Sequence, residues 1–182
     1  MNKIITILLI GLLALTGFIF SRSAGLNHVK EELKWQLPAE NYDDILVDRV
    51  VDGDTLHLEN NRYVRLIGID TPEMHESNKL KRDVKRTGQD EATIKLMGRK
   101  AYEFTKNFVE GKRIKLEFDI EKIDKYNRLL AYAYLKDGTF INAKIVEEGY
   151  ASVMTYFPNV KYADLFLRLY RQASQDQRGL WK

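Results

Sequence analysis

Residues 50–73 read Val50-Val-Asp-Gly-Asp-Thr-Leu-His-Leu-Glu-Asn-Asn-Arg-Tyr-Val-Arg-Leu-Ile-Gly-Ile-Asp-Thr-Pro-Glu73. Two runs rich in β-branched residues, Thr55–Glu59 and Arg62–Ile69, flank the pair Asn60-Asn61. Asn tolerates positive φ, so that pair is a hairpin turn signal between two strands. Ile45–Val51 supplies a third strand in front of them.

Working outward, the polar stretch 74–89 follows, and within 79–89 Lys79, Lys81, Arg82, Lys85 and Arg86 face the single acid Asp83. It reads either as a solvated mobile loop or as a flap against a phosphate backbone. Asp90 then opens a helix, with Ile94, Met97, Ala101, Phe104 and Phe108 spaced along one face and Gly111 as its stop signal. Arg113–Phe118 and Arg128–Leu135 are two further strands, the second closed by Asp137-Gly138. Short helices are expected over 140–148 and 160–175. Five strands around one intervening helix predict a β-rich α+β fold: a small five-stranded Greek-key barrel with about three helices, one of them plugging its base.

The N-terminus is of another kind. Ile4–Phe20 is an unbroken stretch of apolar, Gly and Thr residues after Lys3, followed by Ser21-Arg-Ser-Ala-Gly25. A positive charge, a greasy run and small residues match an export signal, and Lys3 and Arg22 also suit an anchor whose ends snorkel to headgroups. Residues 1–24 are therefore read as a signal peptide or N-terminal membrane anchor, 25–42 as a linker, and 43–182 as the functional domain. Both readings of the leader put that domain outside the cytoplasm, secreted or anchored to the outer face of the cytoplasmic membrane through residues 4–20.

Composition narrows the chemistry. The 182 residues are 45% hydrophobic and 30% charged and contain no cysteine, which excludes a disulfide scaffold, a thiolate metal site and a cysteine nucleophile. His28, His57 and His75 leave little material for a histidine metal site. The net charge of +3 does not by itself announce a polyanionic partner.

The acids are clustered instead. Asp52 and Asp54 enter the hairpin, and Asp70 and Glu73 leave it at the same end. Either motif alone is ordinary turn chemistry, with Asp as a local cap. Antiparallel pairing brings the two side by side, and crowded carboxylates hold a cation or a shared proton. Oxygen donors without nitrogen or sulfur favour calcium or magnesium. Arg65 lies on the same hairpin and Arg128 opens a later strand; a guanidinium pair beside a hard cation suits phosphate. Arg65 and Asp70 differ by five positions, so a regular strand would send them to opposite faces. Their convergence requires a bend, for which Gly68 is the candidate.

These residues resemble the staphylococcal (micrococcal, thermonuclease) nuclease family. The resemblance is carried by Val50–Thr55, Arg65–Glu73 and Asp124-Lys-Tyr-Asn-Arg-Leu-Leu-Ala-Tyr132, and it continues through Gly111-Lys-Arg113, Val146–Ala151 and Gly179-Leu-Trp181. It implies an OB-fold barrel and a calcium-dependent phosphodiesterase acting on DNA and RNA, with 3′-phosphate products and a monomeric state. By the same resemblance Asp54, Asp70 and the carbonyl of Thr71 hold Ca2+, supported by Asp52. Arg65 and Arg128 hold the scissile phosphate, and Glu73 orients or deprotonates the attacking water. Lys125 and Tyr126 match residues gripping a terminal phosphate, and Tyr156 a base-stacking tyrosine, although the spacing around Met154–Pro158 is shorter by about a residue. Asn127 stands where the family usually has Gly; Asn is the next best residue for a left-handed turn. Two other functions compete. One is a noncatalytic OB-fold nucleic-acid binding module tethered to the envelope; the other is an envelope protein making only protein contacts.

Overall fold

The computed structural model describes residues 41–182; the expected leader and nearly all of the expected linker lie outside the described residues. The described residues form seven strands: β1 Ile45–Asp52, β2 Thr55–Leu58, β3 Tyr63–Leu66, β4 Gly68–Asp70, β5 Arg113–Ile123, β6 Leu129–Leu135 and β7 Ser152–Met154. Four α-helices accompany them: α1 Asn78–Thr87, α2 Glu91–Val109, α3 Ile141–Glu147 and α4 Ala163–Gln175. A 3-10 turn, Gly179–Trp181, follows α4.

Strands β1-β2-β3-β6-β5 form a closed barrel in that order, with β1 returning to β5 through Ile45 opposite Ile114. The β3–β6 pair is parallel, with Arg65 opposite Leu130, and the other barrel pairs are antiparallel. This is the five-stranded Greek-key closure expected of an OB fold. Leu56, Leu58, Val64, Leu66, Leu129, Ala131 and Ala133 fill its interior with no exposed surface. Truncating one such leucine to alanine costs about 2–5 kcal/mol.

The run 62–69 is not one strand. It breaks at Gly68, whose φ of 83° lies where side-chain-bearing residues are strained. A Cβ there would stand 2.4 Å from Cε2 of Phe166 in α4, so close packing also selects glycine. Beyond the break, β4 leaves the barrel and pairs with β7. The Asn60-Asn61 turn forms as expected, with Asn61 at φ 61°.

Two expectations need correction. Residues 78–87, expected as a mobile loop or a flap, form helix α1. The Ser77 side chain accepts from the Leu80 N–H at its start, and Gly88 at φ 72° ends it in a left-handed cap. Leu80, fully buried, anchors a helix too polar to show an apolar stripe. The fully buried line of α2 is also offset from the expected face: Ile94 and Ala101 are buried together with Gly98, Thr105 and Val109, while Met97, Phe104 and Phe108 are half-buried beside them, Phe104 stacked on Tyr150.

Candidate functional site

The site begins at the hairpin end. The β1–β2 turn is tied locally, since Asp52 Oδ1 accepts the Asp54 N–H at 3.0 Å. This points the Asp54 carboxylate inward, where Oδ2 accepts the Thr71 N–H at 2.9 Å and the Thr71 hydroxyl at 3.2 Å. The two acidic turns are thereby joined through Asp54 and Thr71. Asp54 and Asp70 are 2% and 3% exposed. Buried carboxylates demand counter-charge, because an unpaired buried anion is strongly unfavourable.

Arg65 supplies it. Its guanidinium forms a close ion pair with Asp54 Oδ1 and a 3.0 Å pair with Asp70 Oδ1, and also donates to the carbonyl of Ile69 at 3.2 Å. Burial draws the Arg65 guanidinium below its ordinary value, against the attraction of Asp70 and Asp52 and together with repulsion from Arg128. Seated between two carboxylates, the guanidinium keeps its charge.

Across the barrel mouth, the turn 124–128 is organised by one side chain. Asp124 Oδ1 accepts the N–H groups of Tyr126 and Arg128, both at 2.9 Å, and Oδ2 accepts from the Arg128 guanidinium at 2.9 Å. Asn127 takes φ 65°, the left-handed conformation expected at that position. Lys125 and Arg128 both lie over the Tyr126 ring, at 5.0 and 5.6 Å from its centroid. Arg65, Asp70, Lys125, Tyr126, Arg128 and Tyr156 line a single groove of about 860 Å³. Tyr126 and Tyr156 are 70% and 71% exposed, so both rings offer faces to a ligand.

Glu73 is differently placed. Its Oε2 accepts the Ser77 hydroxyl at 3.0 Å and its Oε1 the Met74 N–H at 3.2 Å, which ties it to the start of α1. Arg65, Asp54, Asp70 and Thr71 therefore meet directly, Asp52 supports them, and Lys125, Tyr126, Arg128 and Tyr156 share the groove. Glu73 faces the helix cap.

A cation held by the Asp54 and Asp70 carboxylates and the Thr71 carbonyl would have oxygen donors alone. Among the described residues no three His, Cys, Asp or Glu side chains converge, so a main-chain carbonyl and water must complete any coordination shell. That composition suits a hard ion that accepts carbonyl and water ligands, as Ca2+ does. A cationic group already stands at these oxygens. Lys79 Nζ lies 2.5 Å from the Thr71 carbonyl and 3.2 Å from Asp70 Oδ1.

The sequence profile described as staphylococcal nuclease homologue matches residues 63–182. This chain belongs to the staphylococcal nuclease family. It is 35% identical to a thermonuclease of Staphylococcus intermedius over 100% of this chain and 99% of that one. It is 30% identical to a thermonuclease of Staphylococcus hyicus, covering 88% of this chain and 82% of the relative. Endonuclease YncB of Bacillus subtilis (strain 168) is 32% identical, with 88% and 68% covered.

In this member of the staphylococcal nuclease family, two residues that sequence reasoning passed over, and one that it read only as part of the basic stretch 79–89, position the site. Thr105, buried in α2, donates its hydroxyl to the Gly53 carbonyl at 2.8 Å, between Asp52 and Asp54. Gly98 lets α2 lie on the other acidic turn, where a Cβ would be 2.7 Å from the Glu73 carbonyl. Lys79 is the third. A glycine and a threonine within an otherwise apolar helix face were the available signals for the first two.

Proposed function

We propose that this chain is an exported, Ca2+-dependent phosphodiesterase that hydrolyses DNA and RNA with little sequence preference and leaves 3′-phosphate ends. The observation that carries this reading is Arg65, held by two buried carboxylates while it lines the same groove as Arg128. Two guanidinium groups, one rigidly seated and one stacked on Tyr126, make a fork for a phosphodiester.

In this reading Asp54, Asp70 and the Thr71 carbonyl hold Ca2+, with Asp52 keeping the Asp54 turn in shape. Bound calcium supplies Lewis acidity towards a nonbridging phosphate oxygen. Arg65 and Arg128 orient the phosphate and stabilise the extra negative charge of the transition state. Glu73 orients the attacking water and takes its proton as the new P–O bond forms; the P–O5′ bond breaks and the leaving oxygen takes a proton from solvent to become a 5′-hydroxyl. Lys125 and Tyr126 receive a neighbouring or terminal phosphate, and the exposed Tyr156 ring stacks on a base. Contacts to phosphate and to ring faces carry no base code, which accounts for the weak sequence preference.

Export rests on residues 4–20, which lie outside the described residues; among the described residues no helix is long and apolar enough to cross a membrane. A monomer is the expected state. The test is hydrolysis of single-stranded DNA and of RNA with millimolar Ca2+ and with chelator, followed by analysis of the product ends. Intact substrate with Ca2+ present, together with retained binding, would favour a noncatalytic OB module instead.

A further inference from the structure

The ammonium of Lys79 sits on two of the three proposed metal-binding groups. It touches the Thr71 carbonyl at 2.5 Å and Asp70 Oδ1 at 3.2 Å, and its side chain is only 27% exposed. The preferences of helix α1 do not explain this position. Lys79 sits in the first turn, where a positive charge opposes the helix dipole, and that turn carries no acid to offset it. The last turn carries Lys85 and Arg86, where basic residues are favourable. Thus α1 is conventionally charged at its end and unconventionally at its start, and the oxygens at 70 and 71 are what the first-turn lysine gains.

Charge balance gives the consequence. Asp54 and Asp70 face Arg65 and Lys79, two anions against two cations. A divalent ion entering with Lys79 in place would put three positive centres around two carboxylates, and like charges at such separations repel strongly in a water-poor site. The metal and the ammonium therefore exclude each other from Asp70 and Thr71.

We propose that Lys79 is a tethered cation that competes with Ca2+ for the Asp70 carboxylate and the Thr71 carbonyl, holding the acids in register while the metal is absent and weakening metal affinity. This rests on the reading of Asp54, Asp70 and Thr71 as calcium ligands. When displaced, the ammonium remains beside the groove that Lys79 lines with Arg82 and Arg86.

The test is calorimetric titration of Ca2+ into wild type, Lys79→Met and Lys79→Arg, with thermal melting of each in chelator. Methionine keeps the length of the side chain and removes the charge; arginine keeps the charge. If Lys79 closes the site nine-tenths of the time, Lys79→Met binds Ca2+ about tenfold more tightly, because apparent affinity scales with the competent fraction. Its melting point in chelator falls below wild type, and Ca2+ raises it by more than it raises wild type. Lys79→Arg stays close to wild type in affinity. General damage to the fold would weaken calcium binding, so tightening separates competition from disruption; should Lys79→Met not fold, Lys79→Gln replaces it. Equal or weaker calcium affinity in the uncharged variant overturns the proposal and leaves the metal reading intact. No calcium uptake by wild type overturns the metal reading, and this proposal with it.

Discussion

Arg65 and Asp70, five residues apart and on separate strands, form a 3.0 Å ion pair because the chain turns at Gly68 between them. The same guanidinium pairs with Asp54, so one side chain joins both acidic turns. Arg65→Lys keeps the charge but loses the planar fork that reaches both acids and the phosphate. DNA hydrolysis is expected to fall by about a hundredfold or more, with a smaller loss of stability. A steady-state assay beside urea unfolding checks this, and an unchanged rate would remove Arg65 from phosphate recognition.

Gly98→Ala tests the seating of α2 on the second acidic turn. In a free helix alanine is favoured over glycine by about 1 kcal/mol. Here the added Cβ would meet the main chain of Pro72 and Glu73 at 2.7–2.8 Å. The sign is therefore expected to reverse, with a loss of about 1–3 kcal/mol as the packed backbone shifts. Denaturant unfolding measures it; a stabilised variant would mean that α2 does not press on residues 72–73.

Glu73→Gln separates chemistry from architecture. The amide oxygen can still accept the Met74 N–H, while its NH2 can donate to the Ser77 hydroxyl oxygen in place of the present bond, so the start of α1 should survive. Proton acceptance is lost, and the rate is expected to drop by about 10² to 10⁴. Melting temperature should move little. Equal activity of the two proteins would assign Glu73 to the helix cap alone.

A fourth test concerns alkaline pH. Burial raises the Tyr132 and Tyr134 hydroxyls above their ordinary value of 10.0, with Asp119 adding to the effect at Tyr132 and Tyr162 and Glu117 at Tyr134. A folded value above the unfolded one means stability that is fully present below about pH 10 and lost as pH climbs towards the folded values. Thermal melting should therefore stay level with respect to these groups from neutral pH to about 10 and decline beyond it. Tyr134→Phe, which cannot ionise, should soften the decline; an identical profile would remove Tyr134 as a source.

Parts of this architecture were legible because they follow from local stereochemistry. Strand parity required a bend between Arg65 and Asp70, and Gly68 supplies it at φ 83°. Asn127, expected to take a left-handed turn, does so at φ 65°. Helix α1 was not legible, since its caps Ser77 and Gly88 are single residues and its core contact is chiefly Leu80. The face of α2 was misjudged for a related reason: hydrophobic spacing favours Phe104 and Phe108, but the barrel requires the small Gly98 and the hydrogen-bonding Thr105 where backbone comes close.

By itself the sequence determined the barrel strands, the hairpin whose one end carries both acidic turns, and the arginines able to meet a phosphate. These are consequences of alternation, turn residues and charge order, all readable along a line. Only the tertiary structure decided which way Glu73 faces, how α2 braces both acidic turns, and that Lys79 stands at the Thr71 carbonyl. Those outcomes depend on where helices α1 and α2 dock, and docking is set by buried contacts between residues distant in sequence, which no local pattern encodes.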